Sequence, residues 1–254
     1  ADVPVGTFLS GGVDSSIITL LAAKLNPKIP TFSIGFPDQP YFDESDKAGK
    51  IAKYLGVEHH ILNVTENELE DNLEDILNSL DEPFADSSGI LVNLLSRFAR
   101  KKVKVALSGD GADELFAGYN KHRALLRSLD SGMTNSLLRG GSGFLQSLPA
   151  SRNHSVFNKL RKVRRYSRGL KLDFEERYLE WASFTSQAEV AELLTKSSYT
   201  GSIEQLDFIT KGLKMDQFNS VLEADFNLVL PNDMLTKVDI MSMHNSLEVR
   251  VPFL

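Results

Sequence analysis

The chain has 254 residues, 42% hydrophobic and 24% charged, with a net charge of −6 and no cysteine. This is ordinary globular composition, enough for one large core or two small ones, and the negative charge argues against a general nucleic-acid or membrane-surface role. The missing cysteine excludes disulfides, thiolate zinc sites and a cysteine nucleophile; no apolar run nears the roughly 20 residues of a membrane span and no signal peptide is visible, so a cytoplasmic protein is expected.

The first strand candidate, Val5 to Leu9, runs directly into Ser10-Gly11-Gly12-Val13-Asp14-Ser15-Ser16. Two adjacent glycines let the backbone turn sharply and bring N–H groups close to an anion, and the hydroxyls of Ser10, Ser15 and Ser16 add donors. The following Ser15 to Leu25 carries Ile17, Ile18, Leu20, Leu21 and Leu25, which reads as a helix aiming its partial positive end at the loop. Asp14 is a poor phosphate neighbour unless a cation stands between them, so it is assigned to Mg2+. No lysine occupies the place it has in a GxxxxGKS loop. That fits cleavage between the α- and β-phosphates better than transfer of the terminal phosphoryl group, and it predicts an ATP-consuming enzyme. A glycine turn with an N-capping serine is the plainer alternative.

Further strands are expected at Ile29 to Phe36, Glu58 to Val64 and Val103 to Ser108. Between them lie helical patterns at Glu44 to Leu55, Glu66 to Leu80 and Ile90 to Lys101. Thr65 and Glu68 form a capping box before the second of these, and Leu69, Leu73, Ile76, Leu77 and Leu80 follow on one face. Alternating strands and helices predict an α/β fold: a parallel, doubly wound sheet covered on both faces.

The strand from Val103 ends in Ser108-Gly109-Asp110-Gly111-Ala112-Asp113-Glu114. Three acids within five residues repel one another unless a metal, a lysine or a cationic substrate group sits among them; an acidic turn opening a helix explains one of them well. Ligands in such sheets bind beyond the carboxyl ends of strands where the strand order reverses. The strands carrying the Ser10 and Ser108 loops are therefore expected to be neighbours, with both loops facing one nucleotide.

From about Phe116 helical signals dominate, giving an expected division into an ATP-binding region, 1–125, and a mainly helical region, 126–254. Leu129 to Ser155, with Gly132, Gly140, Gly141 and Gly143, reads as a mobile loop. Phe174 to Phe184, Gln187 to Leu194 and Ile203 to Leu230 read as helical, with Phe174, Tyr178 and Trp181 expected in a core. Lys159, Arg161, Lys162, Arg164, Arg165 and Arg168 form a basic cluster that suits RNA or another anionic partner, or more plainly a solvated helix face with Leu160 and Val163 inward. The five histidines show no metal-ligand spacing.

SGGVDSS, SGDGADELFAGY and LPNDMLTKVDIMSMHNSLEVRVPFL together resemble the synthetase domain of glutamine-dependent asparagine synthetases, within the PP-loop ATP pyrophosphatases and their adenine nucleotide alpha hydrolase-like fold. The Thr31-Phe32-Ser33-Ile34-Gly35-Phe36, Phe42-Asp43-Glu44-Ser45, Glu58-His59-His60 and Asp81-Glu82-Pro83-Phe84 segments agree, so the resemblance covers nearly the whole chain. It implies that a carboxylate, aspartate's in the type members, attacks the α-phosphate of Mg·ATP, and that ammonia then displaces AMP. By the same likeness Leu9 and Ile34 meet the adenine, Ser10 to Ser16 hold pyrophosphate, Ser108 and Gly109 contact the nucleotide, and Asp14 and Asp113 carry Mg2+. Asp110 stands at the position tied to the acyl-adenylate, where well-known bacterial members have Glu, and an acid there can orient or deprotonate ammonia. Lys237 is expected to neutralise charge on the α-phosphate. Asp239, Glu248 and Arg250 are substrate candidates; Arg250 either grips a carboxylate or braces Glu248. Ile240 replaces a basic residue common in relatives.

Full-length relatives carry an N-terminal glutaminase domain with a cysteine nucleophile and continue past VPFL with a lysine-bearing loop, so the chain reads as a fragment. On its own it is expected to bind ATP weakly and turn over little, with ammonia coming from the glutaminase domain and a homodimer formed by the full-length protein. Three other readings stay open: a relative that adenylates a different carboxylate, a tRNA-modifying or nucleotide-amidating adenylase, and a non-catalytic interaction module.

Overall fold

The computed structural model describes residues 2–130, 132–146, 148, 155–185, 192–193 and 218–254. The chain divides into two compact units, Ala1–Ala112 with Val229–Leu254 and Asp113–Leu228.

The first unit is built on a five-stranded parallel sheet: β1 (Val5–Phe8), β2 (Thr31–Gly35), β3 (His59–Asn63), β4 (Val105–Leu107) and β5 (Glu248–Arg250), in the order β3-β2-β1-β4-β5. The strand order reverses between β1 and β4, which pair through Val5–Val105, Gly6–Ala106 and Thr7–Leu107. The sequence expectation that these two strands are neighbours is met.

Side-chain alternation explains why helices cover both faces. On one face Phe32 and Ala106 pack with Ala99 of α4 (Ser88–Arg100), Val103 and Leu247. On the other, Thr7 and Thr19 of α1 (Val13–Leu25) share a buried hydrogen bond of 2.9 Å. At the sheet's carboxyl end, Leu9 packs on Ala48 and Ala52 of α2 (Ser45–Leu55). The predicted capping box is present at α3 (Glu66–Asn78): Glu68 N–H donates to Thr65 Oγ1 and Thr65 N–H to Glu68 Oε2. Of the leucine-rich stripe expected on α3, only Ile76 is buried, while Leu73 and Leu77 are exposed.

β5 is a correction, since no strand was expected after Phe116. Its three residues are too few to show a period in sequence, and backbone pairing to β4 creates it, with Ser108 N–H donating to the Arg250 carbonyl at 2.9 Å.

The described residues of the second unit form helices: α5 (Ala112–Phe116, beginning at the boundary), α6 (Asn120–Leu129), α7 (Met133–Gly140), α8 (Ser142–Gln146), α9 (Ser155–Gly169), α10 (Phe174–Ala182) and α11 (Phe218–Ala224). A π-helix over Asp225–Leu235 follows, and α12 (Thr236–Met243) belongs to the first unit. Tyr178 and Trp181 are core residues as expected, packed with Leu125, Val221 and Ala224 and flanked by Phe174. The stretch read as a loop from Leu129 instead contains α7 and α8. Its glycines and serines suggested turns, but Gly140 closes α7 and Gly143 sits within α8, each with open space around it. Of Gln187–Leu194 only residues 192–193 are described, and 203–217 of the last expected helix lie outside the described residues. Among the described residues no helix is long and apolar enough to cross a membrane.

Candidate functional site

Gly11 has φ +77°, and a Cβ on it would stand 2.7 Å from the Ala48 backbone nitrogen, so the turn after β1 tolerates only glycine there. Gly11 thus faces α2, and Gly12 serves as the N-cap of α1 without offering a side chain to it. The first-turn N–H groups of Val13, Asp14 and Ser15 are consequently uncapped by any side chain at that position, at the end where the helix dipole favours an anion. The hydroxyls close the loop on itself: Ser10 Oγ and Ser15 Oγ are 3.0 Å apart, and Ser16 Oγ donates to the Gly12 carbonyl at 2.6 Å. A hydroxyl re-aims by a single rotation, so Ser10 and Ser15 can turn to a phosphate oxygen at little cost.

The Ser108 loop reaches the same place. A Cβ built on Gly109 would lie 2.9 Å from the Ser15 nitrogen and 3.2 Å from Asp14 Cβ, so the two loops touch backbone to backbone. Between them and the ends of β1 and β2 lies a cleft of about 390 Å3. Ser10, Gly12, Asp14 and Ser15 line one side and Ser108, Gly109 and Asp110 another; Leu9 and Ile34 contribute apolar surface. That volume falls in the range of small-molecule sites. Sequence reasoning missed Val92 and Leu95 of α4, which complete the apolar wall, and Phe42 and Glu44. The amphipathic pattern of α4 was legible, but it does not say which turn of the helix borders the cleft.

The three acids of the second motif do not share one environment. Ser108 donates to Asp110 Oδ2. In the second unit, Glu114 is buried at 1% exposure and accepts from Tyr119 Oη at 2.6 Å, while its Oε2 is buried with no partner among the described residues. Burial first and Glu114 second push the Tyr119 phenol far above its ordinary range, so it stays a proton donor. Asp113 lies on α5, with its carboxylate where any side chain on Gly118 would collide with it.

Lys237 is not among the residues lining the cleft. It is 5% exposed on α12, and Nζ donates to Asp86 Oδ2 at 2.7 Å. Burial works to raise the Asp86 pKa, but hydrogen bonds from Lys237 and Ser88 outweigh it and hold the carboxyl below its usual range. Asp86 also accepts from the Ser88 backbone at 2.9 Å, so the pair ties the start of α4 to α12. Asp239 is exposed on α12, outside the cleft lining. Of the two roles weighed for Arg250, the brace is the one formed: Nε donates to Glu248 Oε1 at 2.7 Å, both side chains being over half exposed. Ser16 also lies outside the lining. Among the described residues no cluster of three or more His, Cys, Asp or Glu forms a metal site.

The chain matches the asparagine synthase family over residues 1–254. It is 34% identical over 263 residues to "Asparagine synthetase [glutamine-hydrolyzing] 1" of Bacillus subtilis (strain 168), covering 100% of this chain and 39% of that protein. It is 37% identical over 259 residues to "Putative asparagine synthetase [glutamine-hydrolyzing]" of Mycobacterium tuberculosis (strain ATCC 25618 / H37Rv), covering 100% of this chain and 38% of the relative. A "Putative asparagine synthetase [glutamine-hydrolyzing] 2" of Methanocaldococcus jannaschii is 32% identical over 261 residues, 48% of its own length.

Proposed function

We propose a function from one premise: the chain belongs to the asparagine synthase family. It spans under half the length of the relatives named above. On our reading it is the ATP-dependent, amide-forming part of an asparagine synthetase. The single observation that carries this is the cleft in which the Ser10–Ser15 loop and the Ser108–Asp110 loop face one space at the strand-order reversal.

The residues fit Mg·ATP. The Gly11-Gly12 turn and the N-terminus of α1 present backbone N–H groups for the phosphates, and Gly109, lacking a side chain, lets the second loop close against the Ser15 backbone beside them. Leu9, Ile34, Val92 and Leu95 offer the apolar surface a purine needs. Asp14, on the cleft lining, would hold Mg2+, which would supply charge neutralisation to the pyrophosphate leaving group.

In the proposed reaction a side-chain carboxylate oxygen of aspartate bonds to the α-phosphorus while the α–β bridging bond breaks, releasing pyrophosphate. Ammonia, delivered by a glutaminase domain, then bonds to the acyl carbon; AMP leaves, and a proton is lost from nitrogen. Asp110, held by Ser108, orients that ammonia or takes its proton. Lys237 remains the candidate for neutralising phosphate charge, although its pairing with Asp86 supports a bracing role instead.

Product analysis by phosphorus NMR tests the reading. AMP and pyrophosphate formed only with aspartate and an ammonia source are expected. ADP and inorganic phosphate would refute it, and the same products with another acid in place of aspartate would redirect it within the family.

A further inference from the structure

The second unit contains a cavity of about 800 Å3 between α6, α7 and α9 that the proposed reaction does not use. Its lining includes Lys121, Arg123 and Arg127 from α6 and Arg161, Lys162 and Arg165 from α9, against one carboxylate, Asp130. A solvated face of α9 accounts for that helix's charges alone. It does not account for a second set of cations on α6 bordering the same hollow.

Three of the six are engaged inside the protein. Lys121 Nζ donates to Asp225 Oδ1 at 2.6 Å, Arg161 to Asn158 Oδ1 at 3.0 Å and Arg165 to the Glu180 carbonyl at 2.7 Å. The side chains of Arg123, Arg127 and Lys162 are exposed and make no hydrogen bond or ion pair with a described residue. Arg123 and Arg127 stand four residues apart on one helix, a spacing at which like charges repel. An anion bound among the three would relieve that repulsion, in a chain whose net charge is otherwise −6.

Guanidinium forks match phosphate oxygens two at a time, which favours phosphate over an isolated carboxylate. The volume suits a small molecule, and the acidic balance of the whole chain disfavours a long polyanion that must also cross the rest of its surface. We infer that this cavity binds a small anion carrying two or more phosphate groups, at a site separate from the nucleotide cleft.

The test is calorimetric titration of the protein with inorganic tripolyphosphate in metal-free buffer at low salt, with amide NMR shifts to locate the binding. Both the Arg123→Gln/Arg127→Gln variant and the milder R127K exchange are measured beside Ser15→Ala in the cleft. The inference expects shifts on α6 and α9, about tenfold or greater weakening for the double variant, and no change at this site for S15A. It also expects the double variant to unfold at no lower temperature than the parent without anion, since it removes repulsion. Shifts confined to the Ser10 loop, binding indifferent to Arg123 and Arg127, or no binding would overturn it. So would a single-stranded oligonucleotide that binds the cavity more tightly than tripolyphosphate.

Discussion

Gly109 rests against Ser15: a Cβ on the glycine would stand 2.9 Å from the Ser15 backbone nitrogen. This contact joins two loops through residues that lie 94 positions apart (109 minus 15) in the sequence. Gly109→Ala must push one loop off the other, because the obstacle is backbone and cannot rotate away. A stability loss of about 1–3 kcal/mol is expected from the overpacking. Mg·ATP affinity should fall more than tenfold, read by calorimetry. Gly140→Ala, where nothing lies within 4 Å, is the control and should leave both unchanged or slightly improved.

Gly118 plays a similar part for Asp113. Its N–H donates to the Asp113 carbonyl at 3.0 Å, and any side chain on it would meet the Asp113 carboxylate. Gly118→Ala should therefore turn Asp113 aside. If Asp113 carries Mg2+, the variant needs several-fold more Mg2+ for half-maximal activity while its circular dichroism matches the parent's. An unchanged Mg2+ requirement would remove Asp113 from the metal assignment.

The Asp86–Lys237 pair separates bracing from catalysis. Removing one partner strands a buried charge, so Asp86→Asn and Lys237→Met should each cost about 3–5 kcal/mol. As a brace, the pair predicts a double variant less destabilised than the sum of the singles by about 1 kcal/mol or more, with much of its ATP affinity restored. A lysine acting on phosphate charge predicts that the double variant stays as slow as K237M.

His59 gives the fold a pH dependence near neutrality. Burial, and secondarily His60, lower its pKa below the ordinary 6.5. Its Nδ1 lies 2.7 Å from Thr31 Oγ1 and its Nε2 3.2 Å from Ser33 Oγ, an environment suited to the neutral ring. Below 6.5 the unfolded chain binds a proton that the folded chain resists, so stability contributed by His59 is present above that pH and declines as pH falls toward the folded value. Denaturant midpoints between pH 7.5 and 5 should show the decline, using about that range as the span of histidine titration. His59→Gln should flatten it.

Much of this was legible in the sequence because it is local. The glycine pair, the capping box before α3 and the strand–helix alternation of the first hundred residues each depend on neighbours in the chain. What escaped is tertiary. β5 exists by pairing with β4, and α7 and α8 pack against α9 despite a composition that favours turns. Asp86 looks like one more acid before a helix until Lys237, 151 positions later, is laid against it. Asp225 was passed over for the same reason. It is wholly buried, accepting from Lys121, from Tyr178 at 2.6 Å and from His122 at 2.5 Å. Burial opposes its ionisation, and the hydrogen bonds from His122 and Lys121 prevail, holding its pKa below the usual carboxylate range.

Isotope exchange between labelled pyrophosphate and ATP, followed in the full-length protein, tests the central claim most directly. The account predicts exchange that requires aspartate and Mg2+ and is lost in Asp14→Asn, because only reversible attack at the α-phosphorus returns label to ATP. Exchange undiminished in D14N, or ATP consumption with aspartate and no exchange at any ammonia concentration, would contradict it.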